Sequence, residues 1–101
     1  MFITDVKDLL AYHRYMRLSE HALREAHKES LHAKDVFYAI FNGQILENDR
    51  DRRRVLIVGP TARYDVRLHI VCDYNGKDEI VAVTVYVPDR PRWINDTVRG
   101  Q

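Results

Sequence analysis

Asp65-Val66-Arg67-Leu68-His69-Ile70-Val71-Cys72-Asp73 and Glu79-Ile80-Val81-Ala82-Val83-Thr84-Val85-Tyr86-Val87 are joined through Tyr74-Asn75-Gly76-Lys77. Both flanks are rich in β-branched residues, and Asn-Gly is the strongest short signal for a hairpin turn. Side chains alternate along a strand, so Val66, Leu68, Ile70 and Cys72 point one way and Arg67, His69, Val71 and Asp73 the other. With the turn centred on Asn75-Gly76, facing residue numbers sum to about 151. Val81, Val83 and Val85 then join the aliphatic face, and Ala82, Thr84 and Tyr86 join Arg67 and His69. A slip of one residue would split the aliphatic face, so burial favours this register.

Upstream, Arg54-Val55-Leu56-Ile57-Val58 is a third β-type run, closed by Gly59-Pro60, and Gln44-Ile45-Leu46-Glu47 is a short fourth one. Before Gly43 the pattern is helical. Thr4 is the expected N-cap of a short helix over 4–13, with Asp5 and Asp8 in its first turn and Val6, Leu9 and Leu10 on one face. Tyr15 to Leu18 either continues this helix or runs extended into the next cap. Ser19 caps a helix from Glu20 to about Glu29. Ala22, Leu23, Ala26 and Ser30 share one side of it, and His21, Arg24, Glu25 and Lys28 the other. Ala33, Val36, Phe37, Ile40 and Phe41 recur at helical spacing, and Asn42-Gly43 supplies the stop. The expected architecture is α+β: two or three N-terminal helices packed on one face of a four-stranded antiparallel sheet.

The chain has 101 residues, 46% of them hydrophobic and 31% charged. That suits one domain over 1–101, with a C-terminal tail over 94–101. No apolar run approaches the length a bilayer demands, and charge arrives early at the N-terminus, so a cytoplasmic protein without membrane contact is expected. The single Cys72 fits a reducing compartment, and its place on the aliphatic face favours inert packing. Lys/Arg and Asp/Glu number six and six over residues 1–43 and ten and nine over 44–101. This balance argues against strong non-specific nucleic-acid binding but permits a local site. Arg50, Arg52, Arg53 and Arg54 alternate with Asp49 and Asp51, which suits either a solvated loop or a phosphate contact through Arg53 and Arg54.

Arg67, His69, Thr84 and Tyr86 on one face suit metal-free phosphodiester cleavage. Imidazole exchanges protons near neutrality, guanidinium neutralises phosphoryl oxygens, and phenol donates a hydrogen bond or stacks on a base. The same residues also serve as ordinary strand formers facing water. His13, His21, His27 and His32 are spaced by eight, six and five, which does not suit a helical metal site, and no cofactor is expected. His21 stands near a helix N-terminus, where it either hydrogen-bonds a neighbouring strand or assists at a phosphate. Trp93 either anchors the tail or stacks on a base.

The elements Leu18-Ser19-Glu20-His21-Ala22-Leu23, Val36 with Gly43, and Ile45-Leu46-Glu47 resemble the first half of an uncharacterised bacterial domain family. Val55-Leu56-Ile57-Val58-Gly59, Leu68-His69-Ile70-Val71 and Thr84-Val85-Tyr86-Val87-Pro88, with Trp93, match its second half. The resemblance covers roughly 15–93. That family is grouped with the RelE/ParE-like toxin fold. RelE-type members are metal-independent endoribonucleases in which a 2′-OH attacks its own phosphate, whereas ParE-type members inhibit DNA gyrase. Basic residues usually follow the S-x-H-A element in the family, where Glu25 and Glu29 stand here.

The resemblance implies a toxin-family protein with RNA or the ribosome as target and a cognate antitoxin as partner. On the strand-face reading, His69 acts as general acid/base, Arg67 as phosphate stabiliser, Tyr86 as hydrogen-bonding or stacking group and His21 as assistant. The alternative is a non-catalytic module that acts through a protein partner.

Overall fold

A computed structural model describes residues 3–62, 66–76 and 78–88. The elements run α1 (Val6–Ala11), β1 (Tyr15–Leu18), α2 (Glu20–Lys28), α3 (Ala33–Phe41), β2 (Gln44–Asp49), β3 (Arg54–Pro60), β4 (Arg67–Asp73) and β5 (Glu79–Tyr86). The strands form one sheet in the order β1-β5-β4-β3-β2. The α+β layout is as expected, but the sheet has five strands and is mixed: β1 pairs parallel with β5, and the other neighbours are antiparallel.

The fifth strand comes from the stretch left open between helix and extended chain. Along Tyr15–Leu18 exposure alternates, with Met16 and Leu18 packed on the core and Arg17 reaching Glu79 at 3.2 Å. That two-residue period cannot be met on a helix. Asp5, rather than Thr4, caps α1 by accepting the Asp8 N–H. Thr4 instead donates both its N–H and its hydroxyl to the Asp8 carboxylate, and these two bonds hold the carboxyl below its ordinary range. The helix stops at Ala11, short of the expected span, and His13 Nδ1 takes up the freed Leu9 carbonyl at 2.7 Å.

Ser19 caps α2 as expected, its hydroxyl accepting the Ala22 N–H at 3.0 Å. Ala22 and Ala26 are buried, but Ser30 lies beyond the helix end with φ 61°. Leu31 N–H bonds the Ala26 carbonyl and Ser30 N–H the His27 carbonyl, which is a Schellman stop with serine where glycine fits best. Buried Leu31 completes the motif. Ser30→Gly is therefore expected to stabilise the fold by about 1 kcal/mol, raising the melting temperature by roughly 4–8 °C in a thermal scan.

In α3 the buried stripe is Asp35, Val36, Ala39 and Ile40, whereas Phe41, expected inside, is exposed. The helix is rotated from the expected face because Ala39 meets β3 at Gly59, where only a side-chain-free residue allows contact. A Cβ on Gly59 would stand 1.9 Å from the Ala39 carbonyl oxygen. Asp35 accepts the His32 N–H at 2.8 Å, closing the helix start.

The hairpin differs most from expectation. Its faces are right at the far end, where Ile70 faces Val85 and His69 faces Tyr86, but facing numbers sum to 155 rather than about 151. Between Val71/Thr84 and Cys72/Ala82 the register shifts by one, leaving Val83 as the extra residue of a β-bulge. Below it Ile80 and Ala82 are buried, while Val81 and Val83, expected in the aliphatic layer, are half-exposed. Neither Asn75 nor Gly76 has positive φ, so the tight Asn-Gly turn does not form. Tyr74 is the cause. Its buried side chain donates the hydroxyl to Asn48 Oδ1 at 2.8 Å, and its N–H bonds the Arg53 carbonyl, which draws Tyr74 away from the turn.

The core lies between the helices and one sheet face, built on Leu9, Ile40, Ile57, Leu68, Ile70 and Ile80. No helix of the described residues is long and apolar enough to cross a membrane.

Candidate functional site

Leu68, Ile70 and Cys72 belong to the helix-covered core, so alternation turns Arg67, His69 and Val71 toward the opposite face. There His69 is flanked by Val58 on β3 and Tyr86 on β5. The His69 and Tyr86 rings are 5.3 Å apart and tilted by 52°. Arg67 stands two residues along the same strand, opposite Pro60, and is exposed. Three of the four expected catalytic residues thus share one sheet face.

The face is not uniformly wet, however. His69 has 0% exposure, and Val58 and Leu56 beside it are buried too. A strand pattern fixes which way a side chain points but not what covers it. The imidazole expected to be open to solvent is enclosed.

Next to Tyr86 a pocket of about 180 Å³ is lined by Val71, Leu56, Arg54, Glu47 and Asp49. Arg54 bonds Asp73 across the strands at 3.4 Å. The guanidinium is therefore partly neutralised, and two further carboxylates line the same hollow. Glu47 and Asp49 arrive on this side because β2 carries a register shift between Ile45 and Glu47, which sequence alternation alone could not reveal. Arg53 is apart from this pocket, in the β2–β3 turn at φ 53°. Trp93 and the 94–101 tail lie outside the described residues.

His21 belongs to the sheet edge. Its Nε2 lies 3.1 Å from Glu25 Oε1, and the same carboxylate oxygen accepts the Val85 N–H at 3.2 Å. Beyond the stretch of β5 paired with β1, Ser19 continues the cover: its N–H bonds the Ala82 carbonyl and its hydroxyl the Val83 carbonyl. The i,i+4 spacing of Glu25 from His21 is legible in the sequence, whereas its hydrogen bond from the Val85 N–H is not. Together Ser19 and Glu25 occupy backbone groups that an edge strand would otherwise offer to another chain.

Cys72 is fully buried, and that burial pushes its thiol up to about 12. Since the unfolded thiol ionises near 8.5, the proton is held more tightly in the folded state. This stability is complete below the unfolded value and is lost as pH rises toward 12. At pH 8.5 iodoacetamide should modify the folded protein roughly a thousandfold more slowly than the denatured chain, from the difference in thiolate fraction alone. Mass spectrometry of timed aliquots measures it. Among the described residues no group of three or more His, Cys, Asp or Glu side chains is placed to hold a metal ion.

In comparisons with known proteins, no curated protein and no solved structure matches. A family model does match, over residues 18–87, which is more than half the chain. The stretch runs from the β1–α2 junction to just past Tyr86, so it contains the Ser19–Glu25 edge clamp, both bulged ladders and the His69–Tyr86 pair. The chain belongs to the family described as a domain of unknown function, DUF4258.

Proposed function

We propose that this chain is a toxin-family protein of the RelE/ParE-like kind that engages RNA on the sheet face turned away from the helices, as a metal-independent endoribonuclease. The observation that carries the reading is the direct cross-strand pairing of His69 with Tyr86, with Arg67 two residues along the same face. In the reaction the 2′-hydroxyl loses its proton to water as its oxygen bonds to its own phosphorus, and the bond to the 5′-oxygen breaks as that oxygen takes a proton from water, leaving a 2′,3′-cyclic phosphate and a 5′-hydroxyl. Arg67 neutralises charge gathering on the non-bridging oxygens, and Tyr86 donates a hydrogen bond there or stacks on the adjacent base. A wholly buried imidazole does not meet substrate, so His69 is a positioning residue for the Tyr86 ring rather than the proton carrier itself. His21, held by Glu25, orders the β5 edge beside Tyr86.

A second reading, a non-catalytic module acting through a protein partner such as an antitoxin, is favoured by one observation. The hollow beside Tyr86 combines Glu47 and Asp49 with an Arg54 already bonded to Asp73, a mixed-charge surface better matched to protein than to polyphosphate. The two readings separate in an assay with one RNA oligonucleotide and its all-2′-deoxy counterpart in EDTA. The nuclease reading expects cleavage of the RNA alone, with cyclic phosphate ends. Uncut RNA, with or without ribosomes, would leave the binding module.

A further inference from the structure

Where α1 ends and β1 begins, a pocket of about 440 Å³ opens on the side of the molecule that holds the helices. Its apolar walls include Leu10, Met16, Phe37, Phe41 and Ile80. The Phe37 and Phe41 rings lie almost parallel, 17° apart with centroids separated by 6.3 Å, and Phe41 is 56% exposed. These are the two aromatic residues that helical spacing assigned to the core and that the rotation of α3 leaves outside it. Such a volume, mostly apolar with few polar groups, is characteristic of small-molecule sites.

The polar part of the lining is well defined. His13 donates Nδ1–H to the Leu9 carbonyl at 2.7 Å and meets Tyr74 edge-on at 6.2 Å, so its ring is a fixed wall. The N–H groups of Arg14 and Tyr15 both bond the Asp78 carbonyl, at 2.8 and 2.9 Å, which pins the rim. Arg14 is among the lining residues, and no carboxylate of the described residues, Asp78 included, forms an ion pair with it. An apolar cleft with one arginine in its lining is complementary to a ligand with an apolar body and a single negative end.

We propose that this pocket binds a small amphipathic carboxylate, with an aryl or short alkyl body against Phe37, Phe41 and Met16 and its carboxylate on Arg14. The inference is independent of the sheet-face reading, because it uses none of the same residues. The test is an amide NMR titration of the whole chain with 4-phenylbutyrate, 4-phenylbutanol and 4-phenylbutylamine. The acid should shift the amides of Leu10, Met16, Phe41 and Ile80 and bind roughly tenfold more tightly than the alcohol, with the amine weakest. Arg14→Gln should bring the acid down to the alcohol's affinity without moving the alcohol, and Phe41→Ser should weaken both. Acid and amine binding equally, shifts confined elsewhere, no shift at about 10 mM acid, or an Arg14→Gln protein that keeps the acid's advantage would each overturn the proposal.

Discussion

Gly59→Ala is expected to remove about 3 kcal/mol of folding stability, the upper end of the ordinary penalty for overpacking a tight interior. The added Cβ would sit 1.9 Å from the Ala39 carbonyl oxygen and 2.9 Å from its Cα, so helix backbone rather than a pliable side chain must move. Such a shift drags Val36 and Ile40, both fully buried, away from the sheet. The melting temperature should fall by roughly 12 °C or more, and the urea midpoint in proportion. Gly76→Ala is the control. Its Cβ would meet nothing nearer than the Glu79 side chain at 3.4 Å, so its effect should stay within about 0.5 kcal/mol. Equal losses from the two substitutions would mean that α3 does not rest on β3 as described.

Deleting Val83 is expected to have a comparable or larger effect. The residue is half-exposed and has no partner in the β4–β5 ladder, so side-chain loss alone would be mild. Its removal straightens the bulge and restores unbroken alternation, which is the change that matters. Either Ile80 and Ala82 or Val85 must then leave the core, since their burial on one face depends on the extra residue. Exposing Ile80 alone amounts to roughly 2–5 kcal/mol, a large part of the whole stability of a chain this size. Loss of the cooperative urea transition in the deletion, beside near-normal behaviour of Val83→Thr, is the expected pair of results. A deletion variant that melts like the parent would show that the hairpin has the simpler register.

That bulge also marks where sequence stops being a sufficient guide. The Ser19 cap, the general position of α3, the β3, β4 and β5 runs and the far-end faces of the hairpin were legible, because each depends on neighbours within a few residues. The divergences arise from distant partners. Tyr74 leaves the turn for a hydrogen bond to Asn48, 26 residues earlier, and this displaces the register that Asn75-Gly76 alone suggests. Tyr15–Leu18 becomes a strand because β5 has a vacant edge there, and Phe41 turns outward because Gly59 admits Ala39.

At the site, alternation brought Arg67, His69 and Tyr86 to one face, but it could not show that His69 is enclosed. Nor could it show that Glu47 and Asp49 are carried next to Arg54 by a second bulge. His21 was legible as a helix-start residue, while its role at the β5 edge needed the position of Glu25 against Val85.

The functional claim rests on the exposed part of that face. The direct measurement is single-turnover cleavage of a short RNA by the parent protein, Tyr86→Phe and Arg67→Gln, in EDTA, with circular dichroism confirming that each is folded. Losing one group that stabilises the transition state should slow cutting by about a hundredfold for Arg67→Gln, and by about tenfold or more for Tyr86→Phe. Cleavage that is the same in all three, or at background in the parent, would contradict the account.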